Sequence, residues 1–178
     1  MKKILVVVDM QNDFIDGALG TAEAQAIVDV TAEKIRSFDG IVITTQDTHY
    51  ENYSETMEGR KLPVKHCIEG EQGWKLNDKI AAAVSEKAET YNISKHTFGS
   101  MELVEAVRRY MHRYEIESIE LVGLCTDICV VSNAMLLRAA FPNMILNVDA
   151  GCCAGVTPDT HKAALVTMKQ CQIDVTGE

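Results

Sequence analysis

The sequence lacks any apolar segment long enough to cross a membrane or to act as a secretion signal. Two lysines precede an apolar run, Ile4–Val8, but this run has five residues and ends at Asp9. A secretory core needs about seven to fifteen apolar residues, and a membrane span needs roughly 18–20. We therefore interpret Ile4–Val8 as a buried strand and predict a cytoplasmic protein with no membrane contact.

The sequence also has little positive charge. It carries 17 Lys and Arg against 26 Asp and Glu, a net charge of −9, with no run of basic residues. Nucleic-acid binding needs clustered cations that displace counterions from the phosphates. A nucleic-acid partner is therefore not expected, and we interpret the negative charge as favouring solubility.

The six cysteines do not have the spacing of a zinc ribbon. Cys125 and Cys129 form a C-x3-C pair, and no second pair with ribbon spacing exists, which argues against a site of four thiolates. In a reducing cytoplasm most of the six should be buried thiols that pack as small hydrophobes. A length of 178 residues, 47% of them apolar, predicts a single domain over residues 1–178 that needs no covalent or metal crosslink to fold.

Strand-like and helix-like patterns alternate along the chain. The predicted strands are Lys3–Val8, Ile41–Thr45, Thr90–Ser94, Ser118–Leu124, Met144–Val148 and Gln172–Val175. The predicted helices cover residues 21–38, 73–85, 103–114, 129–140 and 158–169. Continuous apolar strands alternating with helices predict a parallel sheet covered on both faces. With right-handed crossovers, the fold class is α/β, a three-layer α/β/α sandwich with a doubly wound, mostly parallel sheet of about six strands.

Chemically reactive side chains follow the ends of four predicted strands. Asp9 follows the first, Asp47 and His49 the second, Lys95 the third, and the segment 125–129 the fourth. In open parallel sheets small ligands bind beyond the carboxyl ends of the strands, near the switch in strand order. We therefore expect these side chains to meet at one edge of the sheet.

Cys129 lies where a predicted strand gives way to a helix, which makes it a candidate nucleophile. The backbone N–H groups and the dipole of a helix start favour thiolate over thiol and should lower the pKa of this cysteine. A buried packing cysteine is the alternative. Asp9 is a candidate for the group that accepts and returns a proton, because burial should raise its pKa. Lys95 could hold both as a fixed cation, although a capping role for Asp9 and a surface position for Lys95 are the ordinary alternatives.

Asp47, His49 and His66 form a candidate metal site. In an extended chain Asp47 and His49 lie on the same side because side chains alternate with period two. Nitrogen and oxygen ligands without thiolate suit zinc, manganese or iron. Loop histidines that bind no metal are the alternative for each residue alone. Three further histidines, His96, His112 and His161, have no evident partners in the sequence.

Three ordered motifs resemble a known family. V-V-D-M-Q-N-D-F, S-K-H-T-F-G-S and G-L-C-T-D-I-C-V-V-S-N-A are similar to those of the isochorismatase-like cysteine hydrolases, especially the nicotinamidases and pyrazinamidases. The resemblance implies that Asp9 is the general acid and base, Lys95 its electrostatic partner and Cys129 the nucleophile. It also implies an oxyanion hole formed by the N–H groups of Cys125 and Cys129, with a cis peptide between Leu124 and Cys125.

The same resemblance extends to the metal and the substrate. It implies one divalent ion bound by Asp47, His49 and His66, with Glu58 as a candidate fourth ligand by spacing alone. Phe14 would contact the substrate ring, whereas Leu62 stands where a tryptophan would be expected. The implied reaction converts nicotinamide to nicotinate and ammonia through an acyl-thioester, in a homo-oligomer.

Three alternatives to this reaction are considered. A family amidase that acts on a carbamoyl or ureido compound would keep the mechanism and change the substrate. A metal-dependent hydrolase would use metal-bound water rather than Cys129 as the nucleophile. A non-catalytic member would bind a small molecule without turnover.

Overall fold

A computed structural model describes all 178 residues as a six-stranded sheet flanked by helices. The strands are β1 Lys2–Val8, β2 Ile41–Asp47, β3 Thr90–Lys95, β4 Ile116–Leu124, β5 Ile145–Ala154 and β6 Asp174–Thr176. The helices are α1 Asn12–Ile15, α2 Ala22–Ala26, α3 Val28–Ser37, α4 Met57–Lys61, α5 Asp78–Ser85, α6 Met101–Arg113, α7 Val131–Ala140 and α8 Pro158–Gln170. A 3₁₀ turn covers Tyr53–Glu55, and a π-helical turn covers Thr126–Val130. None of these helices is both long and apolar enough to cross a membrane.

All strand pairs are parallel, and the strand order is β3-β2-β1-β4-β5-β6. The chain therefore builds outward from β1 on one side and then returns to add β4 on the other. One buried cluster packs α6, α7 and α8 against one face of the sheet, and a second packs α2, α3 and α5 against the other. This arrangement confirms the predicted doubly wound, three-layer fold and puts the switch in strand order between β1 and β4.

Two predicted helices differ from the structure. The chain turns at Ile27, so the region predicted as one helix over residues 21–38 contains α2 and α3. The apolar spacing does not reveal this break, because Ala24, Ile27 and Ile35 are buried on both sides of it. The helix predicted over residues 73–85 begins later, at Asp78, where the side chain of Asn77 accepts a hydrogen bond from the N–H of Lys79.

Candidate active site

The Asp9, Lys95 and Cys129 side chains converge at the carboxyl edge of the sheet. The Lys95 Nζ lies 2.7 Å from Asp9 Oδ2 and 3.4 Å from Cys129 Sγ. The parallel register explains this convergence, since β1 pairs with both β2 and β4, and β2 pairs with β3. All three side chains are buried. Each of these residues alone could have an ordinary structural role, but together they form a buried cluster of a carboxylate, an ammonium and a thiol.

Asp9 is held in an unusual backbone conformation directly after β1. Its φ of 47° lies in the left-handed region, which non-glycine residues rarely adopt. The Asp9 N–H donates to the carbonyl oxygen of Thr45 at 3.1 Å, and the Thr45 hydroxyl donates to Asp9 Oδ1 at 2.6 Å. Thr45 therefore fixes both the backbone and the carboxylate of Asp9, and leaves Oδ2 directed at Lys95.

Burial and charge act in opposite directions on this cluster. Burial raises the pKa of the Asp9 carboxyl, with Lys95 opposing the rise and Asp47 adding to it. Burial alone would lower the pKa of Lys95, but the negative charges of Asp9, of Cys129 when it is a thiolate, and of Asp47 raise it instead. Lys95 therefore stays protonated, as a fixed cation should, and Asp9 titrates above the ordinary aspartate range.

The expected lowering of the Cys129 pKa is wrong. Burial and the nearby Asp9 carboxylate raise the pKa of the Cys129 thiol, and the Lys95 charge opposes them only in part. Cys129 lies inside the π-helical turn, ahead of α7, rather than at the open first turn of an α-helix. The resting thiol is consequently protonated, and an attack by sulfur needs a base to remove its proton.

The turn before Cys129 leaves a backbone donor free. The Leu124–Cys125 peptide is cis, as the motif resemblance implied. The Cys125 carbonyl accepts hydrogen bonds from the N–H groups of Ile128 and Val130, whereas the Cys125 N–H donates to no other backbone group. A free N–H in the turn that carries Cys129 is the type of donor that stabilises a developing oxyanion.

Side chains from outside the turn hold it in place. The Asn133 side-chain amide donates to the carbonyl oxygen of Cys129 at 2.8 Å. The hydroxyl of Thr126 and Nδ1 of His161 share a hydrogen bond of 2.8 Å. No local pattern indicates this role for His161, because its partner is 35 residues away in the chain.

Asp47, His49, Glu58 and His66 bring one ligand atom each to a common point. These four atoms lie within 4.8 Å of one another. The two imidazole Nε2 atoms lie 3.0 and 3.6 Å from Asp47 Oδ2, and 3.6 and 3.7 Å from Glu58 Oε1. Ligands at about 2.1 Å around a tetrahedral ion are about 3.4 Å apart, so the spacing fits a divalent metal.

The surroundings of this cluster also suit a metal. The Nδ1 of His66 lies 2.9 Å from the carbonyl oxygen of Val64, which as a hydrogen bond leaves Nε2 free to ligate. Burial opposes ionisation of Asp47, but hydrogen bonds from His49 and His66 and the charge of Lys95 hold its pKa well below the ordinary range. Asp47 therefore offers an ionised carboxylate. Burial and the neighbouring Asp47 raise the pKa of Glu58.

Asp47 also connects the metal-ligand cluster to the Asp9–Lys95–Cys129 cluster. Its Oδ1 accepts a hydrogen bond from Lys95 Nζ at 3.3 Å, while Oδ2 lies among the imidazoles. Asp47 and Lys95 are paired neighbours in β2 and β3. A single buried ammonium therefore contacts both clusters.

Two aromatic rings, Phe14 and Tyr53, lie beside the metal-ligand cluster. The buried Tyr53 ring is 4.7 Å from the His49 ring and 5.1 Å from the His66 ring between centroids. Phe14 lies beside His66, with ring centroids 5.5 Å apart, and Leu62 is 38% exposed. Trp74 falls within the helix predicted over residues 73–85, but it lies in the loop before α5, where its Nε1 donates to the Thr48 hydroxyl at 2.9 Å. The structure thus provides Phe14 near the metal-ligand cluster and an aliphatic side chain at position 62.

Two surface cavities of substantial volume lie away from this site. Two cavities of about 710 and 810 Å³ share Met1 and Asp39 and lie at the amino ends of the strands, away from Cys129. A smaller cavity of about 280 Å³ lies against His66 and Asp13. Neither of the first two cavities is lined by a residue of the catalytic or metal-ligand clusters, so we assign the site by its chemistry.

Comparisons with known proteins identify the family and the fold of the chain. The family model of the isochorismatase domain matches residues 3–178. A nicotinamidase/pyrazinamidase of Mycobacterium tuberculosis is 25% identical over 185 residues, covering 97% of each chain. The crystal structure of a Pyrococcus horikoshii pyrazinamidase in complex with zinc covers 100% of both chains, with a TM-score of 0.83 and 24% identity.

A further solved structure is an amidase with a different substrate in its name. It is the N-carbamoylsarcosine amidase of Thermoplasma acidophilum, with a TM-score of 0.76 and 27% identity over 99% of this chain and 96% of that one. The domain match spans nearly the whole chain and includes every residue of the two clusters. The chain therefore belongs to the isochorismatase family.

Proposed function

We propose that the protein is a cysteine amidohydrolase that converts nicotinamide to nicotinate and ammonia through an acyl-thioester on Cys129. The observation that carries the proposal is the contact of one buried ammonium, Lys95, with both the Asp9 carboxylate and the Cys129 sulfur. Relatives named nicotinamidase/pyrazinamidase support the choice of substrate.

The first half of the reaction forms the thioester. The Asp9 carboxylate takes the proton from the Cys129 thiol as the sulfur attacks the amide carbonyl carbon and a C–S bond forms. The carbonyl oxygen becomes an oxyanion, which the N–H groups of Cys125 and Cys129 stabilise. Asp9 then gives its proton to the amide nitrogen, the C–N bond breaks, and ammonia leaves.

The second half returns the free enzyme. Asp9 takes a proton from a water molecule as the water oxygen attacks the thioester carbon. The C–S bond then breaks, the acid leaves, and the proton on Asp9 returns to sulfur. Lys95 stays charged throughout and stabilises whichever of its two partners is negative, because its pKa is raised above the ordinary lysine value.

One divalent ion would be held by the side chains of Asp47, His49, His66 and Glu58. Zinc is the first choice, because it binds nitrogen and oxygen ligands of this kind. When bound, the ion would supply a Lewis acid that can bind a lone pair of the substrate. The Phe14 ring, next to His66, would pack against the substrate and orient its carbonyl toward Cys129.

The direct test measures ammonia release from nicotinamide by the zinc-loaded protein. The proposal expects multiple turnovers, and expects nicotinate in equal amount to ammonia. A zinc-loaded protein that releases no ammonia from nicotinamide, or from any other small amide, would refute the assignment as an amidohydrolase.

A second candidate substrate class is a carbamoyl or ureido compound. Leu62 stands where the resemblance to nicotinamidases implies a tryptophan, and the likeness to an N-carbamoylsarcosine amidase has a TM-score of 0.76. The variant Leu62→Trp separates the two candidates. For a nicotinamide enzyme the added ring should lower the KM for nicotinamide, whereas for a carbamoyl amidase it should lower kcat/KM for the carbamoyl substrate.

A further inference from the structure

Two side chains of the first motif have no part in the reaction just described. The segment after β1 contacts both the part of the chain that carries Asp47 and His49 and the part that carries His66. Within this segment, Gln11 and Asp13 direct their side chains to main-chain groups of those two parts. Sequence reasoning assigned no role to either residue.

Gln11 is fully buried and binds both backbone groups of Asp47. Its Oε1 accepts from the Asp47 N–H at 2.7 Å, and its Nε2 donates to the Asp47 carbonyl oxygen at 2.9 Å. The same Nε2 donates to the carbonyl oxygen of Trp74 at 2.8 Å. The side-chain amide therefore pairs with Asp47 as a neighbouring strand would, at the point where β1 has already ended.

Asp13 holds the residue that follows His66. Its Oδ2 accepts from the Cys67 N–H at 2.7 Å, and its Oδ1 accepts from the Ala18 N–H at 3.2 Å. The Cys67 carbonyl accepts from the His49 N–H at 2.9 Å. Cys67 has a φ of 48°, so its backbone depends on such support. Asp13 thus links the two histidine-bearing segments through one residue, Cys67.

We propose that Gln11 and Asp13 are positioning residues that set the distances within the Asp47–His49–Glu58–His66 cluster and thereby its metal affinity. This inference rests on the metal site of the proposed function. Partners that orient metal ligands typically contribute about 10- to 100-fold to affinity. Asp13 needs two acceptor oxygens for two N–H donors, and Gln11 needs one acceptor and one donor at Asp47, so neither residue has an equivalent replacement.

The test compares the zinc Kd of wild-type protein with those of Asp13→Asn and Gln11→Glu, by competition with a chromophoric chelator. Asp13→Asn can accept only one of the two N–H groups, and Gln11→Glu loses the donor to Asp47 and Trp74. We expect the zinc Kd to rise by about 10- to 100-fold in each variant. In Asp13→Asn without metal, the alkylation rate of Cys129 should stay at the wild-type value, because Asp13 does not contact the Asp9–Lys95–Cys129 cluster.

Arg138→Met is the matched control. Arg138 also binds main-chain carbonyls, of Pro142 and Met144, in the turn after α7 and away from the metal-ligand cluster. The Arg138→Met substitution should lower the Tm and leave the zinc Kd unchanged. Should one of the two test variants not fold, the other still decides the outcome.

The results separate two failures. If both test variants bind one equivalent of zinc with the wild-type Kd, the positioning role is refuted and the metal site of the proposed function is not. The metal site of the proposed function would be refuted if the wild-type protein bound no zinc, or if the Asp47→Ala variant bound zinc with the same Kd as the wild type.

Discussion

Replacement of Lys95 by Met should remove most of the amidase activity and shift its pH dependence. Lys95 is 3% exposed and lies 2.7 Å from Asp9 Oδ2 and 3.4 Å from Cys129 Sγ. Met fills a similar volume but carries no charge. The change therefore removes the cation from two partners without opening a large cavity.

The magnitude follows from the loss of a fixed charge beside the reacting atoms. Removing one preorganised electrostatic group from an active site typically costs about 2.7–4 kcal/mol of transition-state stabilisation. At about 1.4 kcal/mol per factor of ten, kcat/KM should fall by about 10²- to 10³-fold. The pKa of Asp9, which burial already raises while Lys95 opposes the rise, should rise further. At a given pH more Asp9 is then protonated and unable to accept the Cys129 proton, so the acid limb of activity moves to higher pH.

The assay is the pH profile of kcat/KM from ammonia release, for Lys95→Met and for a control, Lys34→Met. Lys34 also lies in a two-carboxylate ion pair, 2.9 Å from both Glu120 and Asp149, but outside the site. The control should keep the wild-type profile. A Lys95→Met enzyme with wild-type kcat/KM and an unmoved acid limb would refute the electrostatic role of Lys95.

Two further variants test how the site is built. Thr45→Val removes the 2.6 Å hydrogen bond to Asp9 Oδ1, and a hydrogen bond to a charged group contributes about 1.5–3 kcal/mol. We expect kcat/KM to fall by about 10- to 100-fold and the acid limb of its pH profile to move to higher pH. A pH profile of kcat/KM like that of the wild type would contradict this. At Gly123 the backbone has a φ of 114°, and a Cβ added by Gly123→Ala would lie 2.1 Å from the Val8 carbonyl oxygen. At Gly70 the φ is 85°, but a Cβ added by Gly70→Ala would have no atom within 4 Å. Thermal melts should therefore show a much larger loss of Tm for Gly123→Ala than for Gly70→Ala, and equal losses would be inconsistent with the close contact of β1 and β4.

The sequence predicted the fold and the meeting of the reactive side chains for the same reason. Parallel strands bring their carboxyl ends to one edge, so Asp9, Lys95 and Cys129 could be grouped although 120 residues separate the first from the last. Glu58 was chosen by spacing alone, and the structure brings its carboxylate to the two imidazoles.

Features that depend on tertiary contacts could not be predicted. The sequence does not show that Cys129 is buried beside Asp9. Burial and the Asp9 charge raise the pKa of Cys129, and they outweigh the helix dipole that was expected to lower it. Gln11 and His161 act through partners 36 and 35 residues away, and no local pattern marks such contacts. Oligomeric state, cellular location and the single-domain organisation stay predictions.

The identity of the nucleophile is the central claim, and the turnover of a zinc-loaded Cys129→Ala variant tests it most directly. Zinc binding with the wild-type Kd would show that the site is otherwise intact. The thioester mechanism predicts that ammonia release from nicotinamide then falls to the uncatalysed rate. Release near the wild-type rate would mean that metal-bound water attacks instead, and would contradict the account.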